Sequence, residues 1–320
     1  MINLYSSINA RKQTALAVAV LGVGLVIGGR AQAETLYATS ISGSQIDQVD
    51  TVANTVTTYL NTPSAADSII FDSAGNVIYT ELYTGDVVRY DPNTTTSTTL
   101  ATSLSTPADM VLEPGGNSML VSEFSGGNID RITFPNTVTT LSTGLGNPEG
   151  LAYDGTRLFA NIGYRGGGPT GKQVAEIDPT TGNILAVSPG LNSLDGLTYD
   201  PYSGLLYASS VFGNIIYSID PNNLNNVQNA TGTLGIVPGP DGITTDGVGD
   251  IFIASSYSIG DSHVYQLNLI SHTLTQDNFV SGLDDLAPAS GAGSIPEPAS
   301  IALLAIGAIP LLGRRSRRSV

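Results

Sequence analysis

The chain has 320 residues, no cysteine, no tryptophan and a formal net charge of −15. Without cysteine there is no disulfide framework, thiolate nucleophile or zinc–thiolate site, and so acidic a chain offers nucleic-acid phosphates no basic stripe. Seven of the twelve basic residues lie in the two ends (Arg11, Lys12, Arg30, Arg314, Arg315, Arg317 and Arg318), which leaves five against 26 carboxylates between Glu34 and Gly293; such a surface keeps an exported protein soluble and also suits cations.

At the N-terminus, Arg11-Lys12 precedes the apolar run from Thr14 to Gly29, and Ala31-Gln32-Ala33 places small residues where a signal peptidase reads. Residues 1–33 are therefore expected to be a secretory signal cut after Ala33. A retained anchor is the alternative, although the run is at the short limit for a spanning helix.

From residue 34 onward the chain repeats itself. Asp67-Ser-Ile-Ile-Phe-Asp72 with Val77-Ile-Tyr-Thr-Glu81 reads as a loop, a short strand, a tight turn and a second strand. Looser or closer copies begin at Ala108-Asp109, Glu149-Gly150, Asp195-Gly196 and Asp241-Gly242, at steps of 41, 41, 46 and 46 residues. Gly282-Leu-Asp-Asp-Leu-Ala287 repeats the loop and first strand one step of 43 later and then stops, whereas Leu36–Thr39 and Ser44–Asp50 supply later strands with no first strand before them. A period of roughly 40–50 residues with about four strands per unit is the pattern of a β-propeller. The two half-units are expected to share a blade, which removes the open edges a sheet would otherwise expose. The expected fold is all-β: one six-bladed β-propeller over 34–289, a monomer, closed by N-terminal strands and a C-terminal strand.

The loop before each first strand and the loop after each second strand should open on one face, near the axis. This predicts a mouth lined by Asp67, Asp109 (beside Ala108), Glu149, Asp195, Asp241 and Asp284, with a second ring of Thr39, Glu81, Glu123, Asn161, Ser209 and Ser255. So many carboxylates around one axis raise one another's pKa unless a cation or water separates them. Oxygen-only ligands favour Ca²⁺ or Mg²⁺. An Asp or Glu before Gly is also a turn-capping device that builds a blade, so the motif is read first as structural and second as a cation site. The insertion Gly163–Lys172, with Arg165 and Lys172, lacks the strand-then-helix setting of a phosphate loop; it is a candidate substrate rim or a plain loop. No nucleotide or haem site is read. His263 and His272 sit in or beside the outer strands of one blade, so no Ser-His-Asp arrangement is expected.

Residues 290–320 read as a linker and a sorting segment, with a Gly- and Ala-rich stretch from Pro288 to Ser294. The apolar residues 301–312 reach only about 18 Å at the helical rise, short of the roughly 30 Å hydrocarbon core. The Arg-rich tail 314–318 should stay cytoplasmic. With Pro296-Glu297-Pro298 before it, this end resembles the PEP-CTERM proteins sorted by exosortases in Gram-negative bacteria. The resemblance implies cleavage near Pro296-Glu297-Pro298, transient membrane contact, and passage through the periplasm to the cell surface or extracellular matrix. A simple tail anchor is the alternative.

The blades resemble NHL-type and gluconolactonase/regucalcin-type propellers. In the latter family a divalent metal held by loop Glu, Asn and Asp residues hydrolyses lactones, and the resemblance points to Glu149, Asp195 and Asp241. Two positions depart from that pattern: Asp195 stands where the family has Asn, and Glu149 comes from a blade next to the other two. Thr80-Glu81 with Arg89 and Ser122-Glu123 with Arg131 also resemble the virginiamycin B lyase repeat. The expected function is an exported binding module with a divalent cation as candidate ligand of the mouth, partnered by signal peptidase and an exosortase-like enzyme; the alternative is a metal-dependent lactonase-like hydrolase.

Overall fold

The computed structural model describes residues 35–163, 172–256, 262–280 and 282–289. They form 24 strands in six four-stranded sheets, a six-bladed β-propeller. The expected signal segment, the Pro296-Glu297-Pro298 motif, the apolar run 301–312 and most of the insertion after Gly163 lie outside the described residues. Among the described residues no helix is long and apolar enough to cross a membrane.

The chain opens in the closing blade with β1 (Thr35–Ser40), β2 (Gln45–Asp50) and β3 (Thr55–Asn61). Blade 1 follows with β4 (Ala66–Phe71), β5 (Val77–Glu81), β6 (Asp86–Asp91) and β7 (Thr96–Ala101). Blade 2 holds β8 (Pro107–Leu112), β9 (Ser118–Glu123), β10 (Asn128–Thr133) and β11 (Thr137–Ser142). Blade 3 holds β12 (Leu151–Tyr153), β13 (Leu158–Gly163), β14 (Lys172–Ile177) and β15 (Ile184–Val187). Blade 4 holds β16 (Leu194–Asp200), β17 (Leu205–Ser210), β18 (Ile215–Asp220) and β19 (Asn223–Asn229). Blade 5 holds β20 (Pro240–Thr245), β21 (Asp250–Ser255), β22 (His263–Asn268) and β23 (Thr273–Phe279). The last strand, β24 (Leu283–Pro288), becomes the inner strand of the closing blade, in the order β24-β1-β2-β3. Its register pairs Leu36 with Pro288, Tyr37 with Ala287 and Ala38 with Leu286, so the two ends are joined by a main-chain ladder.

The strands are graded from the axis outward. The second strand of each blade is enclosed by its neighbours on both faces: β5 reads as five buried residues in a row, and β21 as five after Asp250. Sheets covered on both sides read as continuous apolar runs rather than alternating ones. The outermost strands β7 and β11 are mostly exposed and threonine-rich, as a half-open edge favours. Six apolar clusters fill the six junctions between blades. Met110, Met119 and Val121 pack against Ile78 and Val87, for example, and Phe252 and Ala254 pack against Leu36 and Leu286.

On the side away from the first-strand starts, Arg131 clamps Glu113 with two hydrogen bonds of 2.7 Å and donates to the Pro179 carbonyl in blade 3. Arg157 pairs with Asp154 at 2.6 Å and donates to the Pro221 carbonyl in blade 4. Both arginines therefore tie one blade to the turn of the next.

Candidate functional site: the acidic axial channel

The Asp-Gly pairs expected in loops lie inside or at the start of the inner strands, as bulges. In blade 1, Ala66 pairs with Glu81 and the next paired residue is Ile69 with Tyr79, so Asp67 and Ser68 share the single partner Thr80. The same two-against-one register sets Ala108 and Asp109 against Ser122, Asp195 and Gly196 against Ser209, Asp241 and Gly242 against Ala254, and Asp284 and Asp285 against Thr39. In blade 3 the backbone bonds of Asn161 to Glu149 and Gly150 serve the same purpose. An extra residue re-aims side chains and sharpens the local twist, and here it brings Asp67, Asp109, Asp195, Asp241, Asp284 and Asp285 to the channel.

The bulges also stitch the ring. Asp109 Oδ2 accepts the Leu151 N–H at 2.6 Å, and Asp285 Oδ2 accepts the Ile69 N–H at 3.2 Å. Ser68 Oγ donates to Asp109 Oδ1 at 2.9 Å. Thr39 Oγ1 donates to the Asp67 carbonyl at 2.5 Å, Asn161 Nδ2 to the Asp195 carbonyl at 2.5 Å, and Ser209 Oγ to the Asp241 carbonyl. Each of these bonds crosses a blade junction. Thr39, Asn161 and Ser209 therefore hold the inner strands together from behind.

Glu81, Glu123 and Ser255 are placed differently from the expected second ring. They stand one residue past the bulge partner, and a one-residue step along a strand reverses the face. Glu81 accepts from Thr84 Oγ1 at 2.8 Å, Glu123 accepts the Ser105 N–H at 2.5 Å, and Ser255 Oγ donates to the Pro238 carbonyl. None of the six expected second-ring residues lines the channel.

What does line it is a cavity of about 400 Å³ bearing seven carboxylates: Asp67, Asp109, Glu149, Asp195, Asp241, Asp284 and Asp285. Asp285 was not expected from the sequence, although its place beside Asp284 mirrors that of Asp109 beside Ala108. Leu82, Thr106 and Phe124 edge the mouth, and Ile70, Val111 and Ala152 line the channel beyond the acids.

Burial raises the pKa of every aspartate in the ring, because a charged carboxylate loses its hydration there. Asp67 is pushed up to about 6 by burial, against the hydrogen bond from Asp284. Asp109 rises to about 7 by burial, despite accepting the Leu151 and Met110 N–H groups and Ser68. Asp284 lies well above the ordinary range through burial and the charge of Asp67, and Asp241 through burial and the charge of Asp195. Asp285 is raised well above by burial and by Asp109. In the side-chain pairs Asp284–Asp67 and Asp241–Asp195 the charge of one carboxylate pushes the pKa of Asp284 and of Asp241 further up.

The sequence placed Lys172 in a candidate substrate rim without pairing it to an acid of the ring. Lys172, the first residue of β14, pairs its Nζ with Glu149 Oε2 and lies 5.5 Å from the Phe124 ring centre. Burial depresses its pKa to about 8, against the charges of Asp195 and Asp241. Glu149, Asp195 and Asp241 thus line one cavity, but among the described residues no three His, Asp or Glu side chains are grouped as a metal centre requires. Neither His263 nor His272 lines the channel. The site is rich in carboxyl oxygens, which accept hydrogen bonds when ionised and can donate one when protonated.

No protein-family model and no curated protein matches this chain. Solved structures do. A chain of a nidogen/laminin complex superposes with a TM-score of 0.67 at 18% identity, over 80% of this chain and 98% of that one. Virginiamycin B lyase from Staphylococcus aureus superposes with a TM-score of 0.55 at 17% identity, over 78% and 82%. A streptogramin B lyase gives 0.55 at 16%, over 77% and 80%. The shared feature is the fold. At such identities nothing more is carried across, and Arg89 and Arg131, which resembled the lyase repeat, are here occupied in ion pairs with Asp72 and Glu113.

Proposed function

We propose that this is an exported propeller of the cell surface or extracellular matrix that works as a binding module, its ligand seated in the acidic mouth of the axial channel. The observation that carries the reading is the convergence of seven carboxylates on one cavity of about 400 Å³ with no histidine beside it. Export and sorting are supported by Ala31-Gln32-Ala33 and Pro296-Glu297-Pro298, with signal peptidase and an exosortase-like enzyme as processing partners and brief membrane contact through residues 301–312. Ca²⁺ or Mg²⁺ is the inorganic candidate for the mouth, and to bind there it must displace Lys172 from Glu149.

The hydrolase reading requires Glu149, Asp195 and Asp241 to share one ion that polarises a carbonyl and activates water. With Glu149 paired to Lys172, and Asp195 hydrogen-bonded to Asp241, the binding reading is the better supported. Metal analysis of the purified protein, followed by a lactone-hydrolysis screen with and without chelator, tests it. The expected result is no chelator-sensitive turnover. Lactone hydrolysis that chelator abolishes and Asp241→Asn removes would replace the binding module with an enzyme.

A further inference from the structure

The base of the propeller, opposite the mouth, carries an apolar patch that spans two blades. Tyr202 stands in the turn after β16, Val248 in the turn after β20 and Ile270 in the turn after β22. They are 53%, 67% and 60% exposed. Their side chains gather at one place: a methyl carbon on Gly249, the neighbour of Val248, would lie 3.0 Å from Ile270 Cδ1 and 3.6 Å from Tyr202 Cδ1. Large apolar side chains held together in an exposed patch mark a contact surface.

Position, reach and charge bear on what covers it. The inner strand β24 runs from the bulge at the mouth to Pro288 at the base, where Ala289 donates its N–H to the Thr35 carbonyl. Blade 5, which carries Val248 and Ile270, packs directly against β24 and β1. The chain therefore leaves the propeller on the face, and beside the blade, that bears the patch. Residues 290–300 then precede the apolar run 301–312, and a stretch of that length reaches up to about 36 Å. At about 18 Å the run is too short to span a bilayer, so in water its leucines and isoleucines need another apolar partner. Between Lys172 and Arg314 the sequence holds no lysine or arginine, and Asp220, Asp246 and Asp250 stand at the base ends of the blade 4 and blade 5 strands. Arg314, Arg315, Arg317 and Arg318 come just after the apolar run.

We propose that, before any cleavage near Pro296-Glu297-Pro298, the apolar run 301–312 of this same chain docks on Tyr202, Val248 and Ile270, with the arginines after it against the acidic turns of blades 4 and 5. The contact shields the run from water wherever no membrane holds it, and it is independent of what the mouth binds. A second copy is a poorer occupant, because two such acidic bases repel each other. An anionic membrane surface is repelled in the same way.

The chain has no cysteine, so an introduced pair reports the contact cleanly. The full chain carrying Val248→Cys and Ala305→Cys is treated with oxidised glutathione, and the disulfide within one chain is followed on non-reducing gels. The control pair is Tyr83→Cys with Ala305→Cys, since Tyr83 is exposed at the mouth end. The base pair is expected to close about tenfold or more faster than the control, as docking raises the effective concentration of one thiol at the other. Adding Tyr202→Asp and Ile270→Asp should slow that closure by about tenfold. Changing all four tail arginines to glutamine should slow it at low salt and remove its salt dependence. Should the Tyr202→Asp, Ile270→Asp chain fail to fold, the comparison of the two cysteine pairs decides. Equal rates for the two pairs, or a rate that the two aspartates leave unchanged, overturns the proposal. A disulfide that forms only between two chains overturns it in favour of a second copy.

Discussion

A methyl group at position 242 would meet the Asp285 Cα at 2.6 Å and the Asp284 carbonyl oxygen at 2.7 Å. The same closeness recurs at Gly196 against the Asp241 carbonyl, so in consecutive blades glycine lets one inner strand lie against the next. Gly242→Ala is expected to destabilise the propeller by about 1–3 kcal/mol, the usual cost of overpacking. A shift of the denaturation midpoint at unchanged slope measures it; an unshifted midpoint means that the strands do not approach so closely. Asn161→Ala removes two hydrogen bonds to the next blade and is expected to cost about 1–3 kcal/mol, read in the same way. The residues of the first ring were legible because Asp and Glu recur at similar steps, between 41 and 46 residues. Lys172 was legible only as a candidate rim residue: it stands in one blade, after an insertion, and no repeat announces its pairing with Glu149.

At the scale of the strand, the period was plain and the register was not. Thr80-Glu81 and Ser122-Glu123 each offer two polar neighbours, and the acidic one is the tempting choice for an acidic ring. The bulge selects Thr80 and Ser122, because two residues of the inner strand share one partner and the next residue along points to the other face. Bulges leave little mark in the sequence when the residues that form them are as varied as Asp-Ser, Ala-Asp and Glu-Gly. Asp109→Ala is the corresponding test. It leaves the buried N–H groups of Leu151 and Met110 without their acceptor and is expected to destabilise by about 2–3 kcal/mol, whereas Asp67→Ala, whose carboxylate holds no inter-blade backbone bond, should cost less. Chemical denaturation of the two variants side by side makes the comparison, and equal losses would contradict the stitching role.

At the scale of the whole molecule, the ring makes stability depend on pH. Asp67 at about 6 and Asp109 at about 7 lie above the ordinary 3.8, so between about pH 4 and 7 the folded state holds protons that the unfolded chain releases. Stability from these groups is therefore fully present below about pH 4 and is lost as pH rises through 6 to 7. The melting temperature is expected to fall from pH 5 to pH 8, and Asp67→Asn should flatten that slope. A melting temperature that rises over the same interval would show that the ring is not protonated in the fold. Closure belongs to this scale too. Ending the chain before Leu283 removes β24, the inner strand of the closing blade and one side of the Phe252–Leu286 junction. Such a chain is expected to lose its single cooperative transition in calorimetry, because β1 would be left as an open edge.

The sequence alone determined the number of blades, the shared closing blade and the positions of Asp67, Asp109, Glu149, Asp195, Asp241 and Asp284, since each follows from a spacing that a repeating sheet imposes. Only the tertiary structure decided which neighbouring residues turn toward the axis, that Asp285 joins them, and that Lys172 meets Glu149 over Phe124. The physical reason is range: period and turn chemistry are local, whereas the facing of a bulge and the partner of a buried charge are settled by strands from different blades meeting around one axis.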